Sequence, residues 1–254
     1  MIPSAFISHG PPNRLLGDSV AKDFLATFAQ AIQKPSGILI LSAHWQTKEL
    51  NLSSSGTLET IHDFWGFPKE LNEFNYAAVQ STELTQIIEE NCQLQGLDYQ
   101  LSDRGLDHGS WSVLALAYPK ADIPVATLSL PELKSLHSYL QLGQALAPLR
   151  DKNILIIGSG GASHNLHELN FQGEVPTWAK SFSQWLQNAV VTRDYDALTA
   201  LYTQAPHAHT AHPTIEHYLP LLVAAGAAMG ENVELIHDSY DFGSLNNSSF
   251  LFGV

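Results

Sequence analysis

Twelve histidines stand in a chain of 254 residues, as many as all its lysines and arginines together. Histidine is the commonest metal ligand and the usual acid or base near neutral pH, so their positions carry the first functional reading. His9 follows the apolar run AFIS and opens GPPN, His44 follows ILILSA and precedes Trp45, and His164 follows ILIIG and the turn SGGAS. Each lies just past the C-terminal end of a run that reads as buried strand. In open α/β sheets that edge is where ligands bind. One such imidazole reads as a hydrogen-bonded loop residue; three at equivalent places read as a site.

Two further segments carry histidine. His108 stands in GLDHGSW, where Asp107 and Ser110 could orient an imidazole and the flanking glycines admit a close approach. The competing reading is a turn whose Asp and Ser satisfy local backbone groups. HAHTAHPTIEHYLPLL holds four more: His207 and His209, expected in a mobile loop, and His212 and His217 beside Glu216. Pro213 suits the first turn of a helix carrying Glu216 and His217, adjacent residues that would diverge by about 100° and not easily share a site. His62 lies among Phe64, Trp65 and Phe67, a loop that could cover an aromatic ligand or pack on the core. His137, His167 and His237 have no motif around them. Cys92, the single cysteine, sits in a helical run without a cationic neighbour and reads as inert core. No G-x-S-x-G, Walker A or G-x-G-x-x-G occurs.

The elements that must position these residues alternate between short β-branched runs and amphipathic stretches. Strands are expected at 5–8, 37–42, 124–130, 153–157 and 233–237, and helices at 19–33, 82–94, 131–149, 176–190 and 214–229. GILILS and NILIIGS are near-continuous apolar runs, as expected of strands covered on both faces. The fold class is α/β: a single three-layer domain over residues 1–254, with a central mixed, largely parallel sheet flanked by helices. A net charge of −13 would repel phosphate, so nucleic acid is excluded as a partner. No apolar run is long enough to span a membrane. The opening MIPSAFISHGPPN lacks a basic segment before a long apolar stretch, and one cysteine permits no intrachain disulfide, so a cytoplasmic protein is expected.

In this order, FISHGPPN, SAHW, IHDFWGFP, DHGSW, GSGGASHNL and HPTIEHYLPLL resemble the LigB-type (class III) extradiol ring-cleavage dioxygenases, most closely the bacterial branch related to DOPA 4,5-dioxygenase. The resemblance spans residues 5 to 222. It implies that His9 and His44 are metal ligands and that the third comes from the later helix, His217, with Glu216 as the alternative. His164 matches the family's acid/base histidine, which some metal-bound relatives also place at the metal, and His108 matches a second active-site histidine. An N-P-T of relatives reads His212-Pro213-Thr214 here, which would put an extra imidazole near the pocket.

The implied cofactor is Fe(II), with Zn(II) as the alternative bound metal, because an open-sided triad suits non-haem iron and neutral imidazoles also suit zinc. The implied partners are O2 and a small catechol such as DOPA or a related catecholic acid, caffeate for example. Arg104 or Lys120 would locally offset the negative charge. The alternatives are a zinc hydrolase, with His9, His44 and His217 holding an activated water, and a non-catalytic metal-binding relative.

Overall fold

The computed structural model describes residues 1–171 and 173–254. Its central sheet is built from β1 (Ser4–Ser8), β2 (Gly37–Ser42), β3 (Val125–Thr127), β4 (Ile154–Gly160), β5 (Val233–His237) and β6 (Ser249–Phe252). Their spatial order is β5-β6-β1-β4-β2-β3. The four strands from β1 to β3 are parallel neighbours, while β6 runs antiparallel to both β1 and β5.

Strand residues alternate between two cores. Phe6, Leu39, Leu41, Ile154 and Ile156 face one; Ala5, Ile7, Ile38, Ile40, Leu155 and Ile157 face the other. The first core is closed by α2 (Thr82–Leu94), α4 (Leu136–Leu146), α5 (Thr177–Val191) and α6 (Leu219–Ala227), the second by α1 (Val20–Phe28) and α3 (His108–Ala117). Three layers result, with both sheet faces buried, as the apolar strand runs require. Cys92 lies in the first core, where burial pushes its thiol up to about 11, so it is inert.

The departures from the sequence reading have local causes. The helix expected over 214–229 begins only at Leu219. The N–H of Gly161 donates to the His217 carbonyl at 3.0 Å, so Glu216 and His217 sit on a turn held against β4. The helix expected over 131–149 starts at Leu136, capped by Ser135, while Pro131 pairs with Thr47 in a short parallel bridge. Strand 124–130 shrinks to three residues, and β4 runs on to Gly160. The helix α3 and the strand β6 are additions. In place of a mobile loop, His207 precedes a one-turn helix at a φ of 58°, and His209 stacks on Tyr202 with 4.4 Å between ring centroids.

Candidate metal centre and cavity

Because β1, β2 and β4 are parallel, the loops after them share one sheet edge, and His9, His44 and His164 meet there. Two more imidazoles join them. His217 arrives on the turn before α6, and His108 is the first residue of α3. Gly109 permits that approach: a Cβ there would lie 2.4 Å from Ser42 Oγ and 3.0 Å from His44 Cδ2.

The hydrogen bonds fix which nitrogen of each ring faces inward. The Ser159 hydroxyl donates to the Gly109 carbonyl. Its contact with His9 Nδ1 at 3.0 Å must therefore be donated by the imidazole, which leaves His9 Nε2 as a bare lone pair. His217 Nδ1 likewise donates to Glu216 Oε1 at 3.0 Å. Its Nε2 is buried and finds no hydrogen-bond partner among the described residues. His44 Nε2 lies 3.2 Å from His9 Nε2. Donor atoms of His9, His44 and His217 all fall within 4.8 Å of one another.

A buried nitrogen without a partner asks for an explanation, and a cation held between these rings would supply one. Two nitrogens each about 2.0–2.1 Å from one ion stand some 3 Å apart, as His9 and His44 do. Burial, then the neighbouring imidazoles, hold His9 far below the usual histidine range and His44 at about 2. Burial also lowers His217, against the opposing pull of Glu216. All three rings are neutral at pH 7, the form that binds metal.

His108 and His164 stand beside this triad on different supports. His108 Nδ1 donates to Asp63 Oδ1 at 2.9 Å, and the His108 backbone N–H donates to the same oxygen at 3.0 Å. Burial alone would raise Asp63, but the His108 imidazole, first through its hydrogen bond, outweighs it and holds the carboxyl at about 2. The His108 ring centroid is 4.0 Å from that of His44. His164 lies flat on His217, 3.4 Å between centroids and 7° between planes. No hydrogen bond holds its ring among the described residues, and burial with the His217 charge lowers it to about 3. Its donor atom groups with Glu216 and His217 and not with His9 and His44.

Asp63 lies within IHDFWGFP between His62 and Phe64, where no spacing ties it to His108. Asp107 and Ser110, the expected partners of His108, instead cap α3: the Ser110 N–H donates to Asp107 Oδ1 at 3.1 Å. His212 is not at the cavity. It is fully buried against Phe182 and Tyr218 and bonds the Ala162 carbonyl at 3.0 Å, so the His-Pro-Thr departure is a packing feature. His62 contacts the Phe74 carbonyl at 2.9 Å, and its neighbours Phe64, Trp65 and Phe67 line the cavity without it. His237 stacks on Phe24 and does not line the cavity. Arg104 donates to the His44 carbonyl and to Asp107 and lies over Trp45, and Lys120 borders a separate depression; neither lines the cavity.

The cavity itself measures about 360 Å³ and opens over the triad between the aromatic loop and Leu166, Leu245, Asn246 and Asn247. Its floor is braced from beneath by Arg14, whose buried guanidinium donates to the carbonyls of Ser8 and His9, to Asp241 and to Asn247 Oδ1. Gly10 turns over that guanidinium at a φ of 62°, a conformation suited to glycine.

The family described as the catalytic LigB subunit of aromatic ring-opening dioxygenase matches residues 3–253. The chain belongs to the LigB family. A 4,5-DOPA dioxygenase extradiol of Beta vulgaris is 44% identical over 97% of this chain and 95% of its own length. One of Escherichia coli K12 is 33% identical over 99% and 95%. A crystal structure of an uncharacterised Escherichia coli K12 protein superposes over all of both chains, with a TM-score of 0.84 at 30% identity. As a LigB protein with such relatives, this chain is a metal-dependent extradiol ring-cleavage dioxygenase, built on a sheet of six strands, mostly parallel, with helices around it. No described helix is long and apolar enough to cross a membrane.

Proposed function

We propose that this LigB chain cleaves the ring of a catechol such as DOPA with O2, using Fe(II) held by His9, His44 and His217. The observation that carries the reading is the convergence of three neutral imidazoles, one with an orphaned inner nitrogen, under an aromatic-walled cavity of catechol size. Glu216 then acts through His217, fixing its tautomer from outside, as carboxylates behind ligating histidines do. When bound, iron supplies a Lewis acid and a redox partner for O2.

The protein's own part is to hold the ring and move protons. Phe64, Trp65 and Phe67 offer faces and edges to a planar substrate. His108, with its Nδ1 proton committed to Asp63, keeps Nε2 free to accept a phenolic proton. His164, neutral and unbound at its ring, is the second acid/base, taking a proton first and returning it later. Its stacking on His217 supports that role better than ligation in the same set as His9 and His44.

The test is anaerobic reconstitution of metal-free protein with Fe(II) or Zn(II), addition of DOPA, then admission of oxygen. Oxygen uptake with a yellow ring-opened product, for iron only, is the expected result. Equal turnover with zinc, or product without oxygen, overturns the reading in favour of a hydrolase; metal binding without either product points to a non-catalytic relative.

A further inference from the structure

Resting on the ring-cleavage reading above, we infer that this cavity takes catechols whose side arm is uncharged or bears an amine, and rejects those whose arm is a lone carboxylate. The inference narrows the substrate within the catechols, and it comes from what the cavity wall lacks as well as from what it holds.

Among the described residues lining the cavity there is no lysine or arginine, and the only carboxylate is Asp63. The two guanidiniums nearest the site do not line it. Arg14 donates through its two Nη atoms to Ser8, His9, Asp241 and Asn247, and Arg104 through Nη2 to His44 and Asp107, while the buried Nε of each has no partner among the described residues. Several neutral donors of the wall also bond elsewhere. The Ser8 hydroxyl donates to the Ser248 carbonyl at 2.9 Å and that of Ser163 to the Ser244 carbonyl at 3.0 Å. The Asn246 amide donates to Asp238 Oδ1 at 2.8 Å and that of Asn247 to Ser239 Oγ at 3.3 Å. An incoming carboxylate would shed its water and find no lysine or arginine among the described lining residues to pair with, and an unpaired buried charge is strongly disfavoured.

An ammonium meets the opposite situation. While His108 occupies Asp63 Oδ1 twice, Oδ2 has His44 Nδ1 only at 3.7 Å, beyond hydrogen-bond length. The next residues, Phe64 and Trp65, present aromatic faces, which attract cations. The chain's net charge of −13 draws cations towards it and slows the approach of anions. DOPA, whose ammonium offsets its own carboxylate, falls on the accepted side.

The experiment compares three catechols that share one ring and chain length: DOPA, its decarboxylated amine 3,4-dihydroxyphenethylamine, and its deaminated acid 3-(3,4-dihydroxyphenyl)propanoate. With iron-loaded protein in air at pH 7, kcat/KM for the amine should exceed that for the propanoate by about fivefold or more, chiefly through KM, as expected when a charge is left unpaired. A smaller ratio, or a preference for the propanoate, overturns the inference. The same three compounds are titrated anaerobically into zinc-loaded protein by calorimetry. If none is ring-cleaved, the ring-cleavage reading fails by itself. The order of Kd values, amine tighter than propanoate by the same margin or not, still decides the charge selection.

Discussion

Two carboxylate–histidine pairs flank His44: Glu216 with His217 and Asp63 with His108. The bonds are nearly identical, 3.0 Å and 2.9 Å from Nδ1 to oxygen. Their settings differ. Glu216 and His217 are neighbours on one turn, Glu216 is further tied by the Thr214 hydroxyl, and the His217 inner nitrogen is buried and bare. Asp63 reaches His108 from 45 residues away, on the aromatic loop that walls the cavity. The same chemical device thus serves two ends. One pair fixes a lone pair towards the proposed cation site, and the other fixes an imidazole and the aromatic wall of the cavity in a common frame.

The largest expected effect breaks the first pair outright. His217→Ala, like His9→Ala and His44→Ala, should lose stoichiometric metal by elemental analysis, since a ligand bond is gone. Retention of metal in His217→Ala with loss in Glu216→Ala would transfer the third ligand to the carboxylate. Next come the proton carriers. His108→Ala and His164→Ala should each keep most of the metal yet lower single-turnover cleavage, normalised to bound iron, by about 10²–10⁴-fold. A normalised rate within about threefold of wild type removes that histidine from the proton path.

The amide substitutions set the two pairs against each other directly. Glu216→Gln should weaken metal binding by about 10–100-fold, read by competition with a chelator, and leave turnover per bound metal little changed. Asp63→Asn should do the reverse, holding the metal while slowing turnover by at least about tenfold, because His108 loses the charge that fixes its orientation. If both variants lose metal equally, the distinction between the pairs collapses.

His212 sharpens the comparison as an imidazole with no carboxylate. Burial lowers it to about 4, only partly opposed by its bond to the Ala162 carbonyl. Between pH 6.5 and 4 the unfolded chain therefore binds a proton that the fold refuses, so stability present above 6.5 is lost as pH falls through that window. One such group steepens the slope by at most about 1.4 kcal/mol per pH unit. His212→Asn should flatten the urea-unfolding free energy against pH by up to that amount in metal-free protein. An unchanged slope would mean that the ring is protonated in the fold.

The legible part of this site was the part written in strands. GILILS and NILIIGS announce buried parallel strands, and the residues just beyond them follow from topology. The helix α3 was missed because HGSWSVLALA is apolar on almost every side, leaving no 3.6-residue stripe to read. The strand β6 is four residues after a polar stretch and gains its identity only from lying between β1 and β5. Asp63 is a long-range partner in a loop, and nothing in its neighbours' spacing points to His108. The Glu216–His217 pair failed differently: a helix was assumed, and the Gly161 N–H had already claimed the carbonyl that such a helix would need.

Arg14 has a consequence for when the cation site comes into being. Its guanidinium joins the carbonyl of His9 to side chains 227 and 233 positions further along, and β1 itself pairs with strands at 154–160 and 249–252. Contacts of such separation form late, after the loop-closure entropy has been overcome. While the polypeptide is still being synthesised, the histidines are scattered ligands of no fixed geometry, with little hold on any ion. On the proposed triad, metal acquisition would thereby belong to the finished protein, whose cavity opens over His9, His44 and His217.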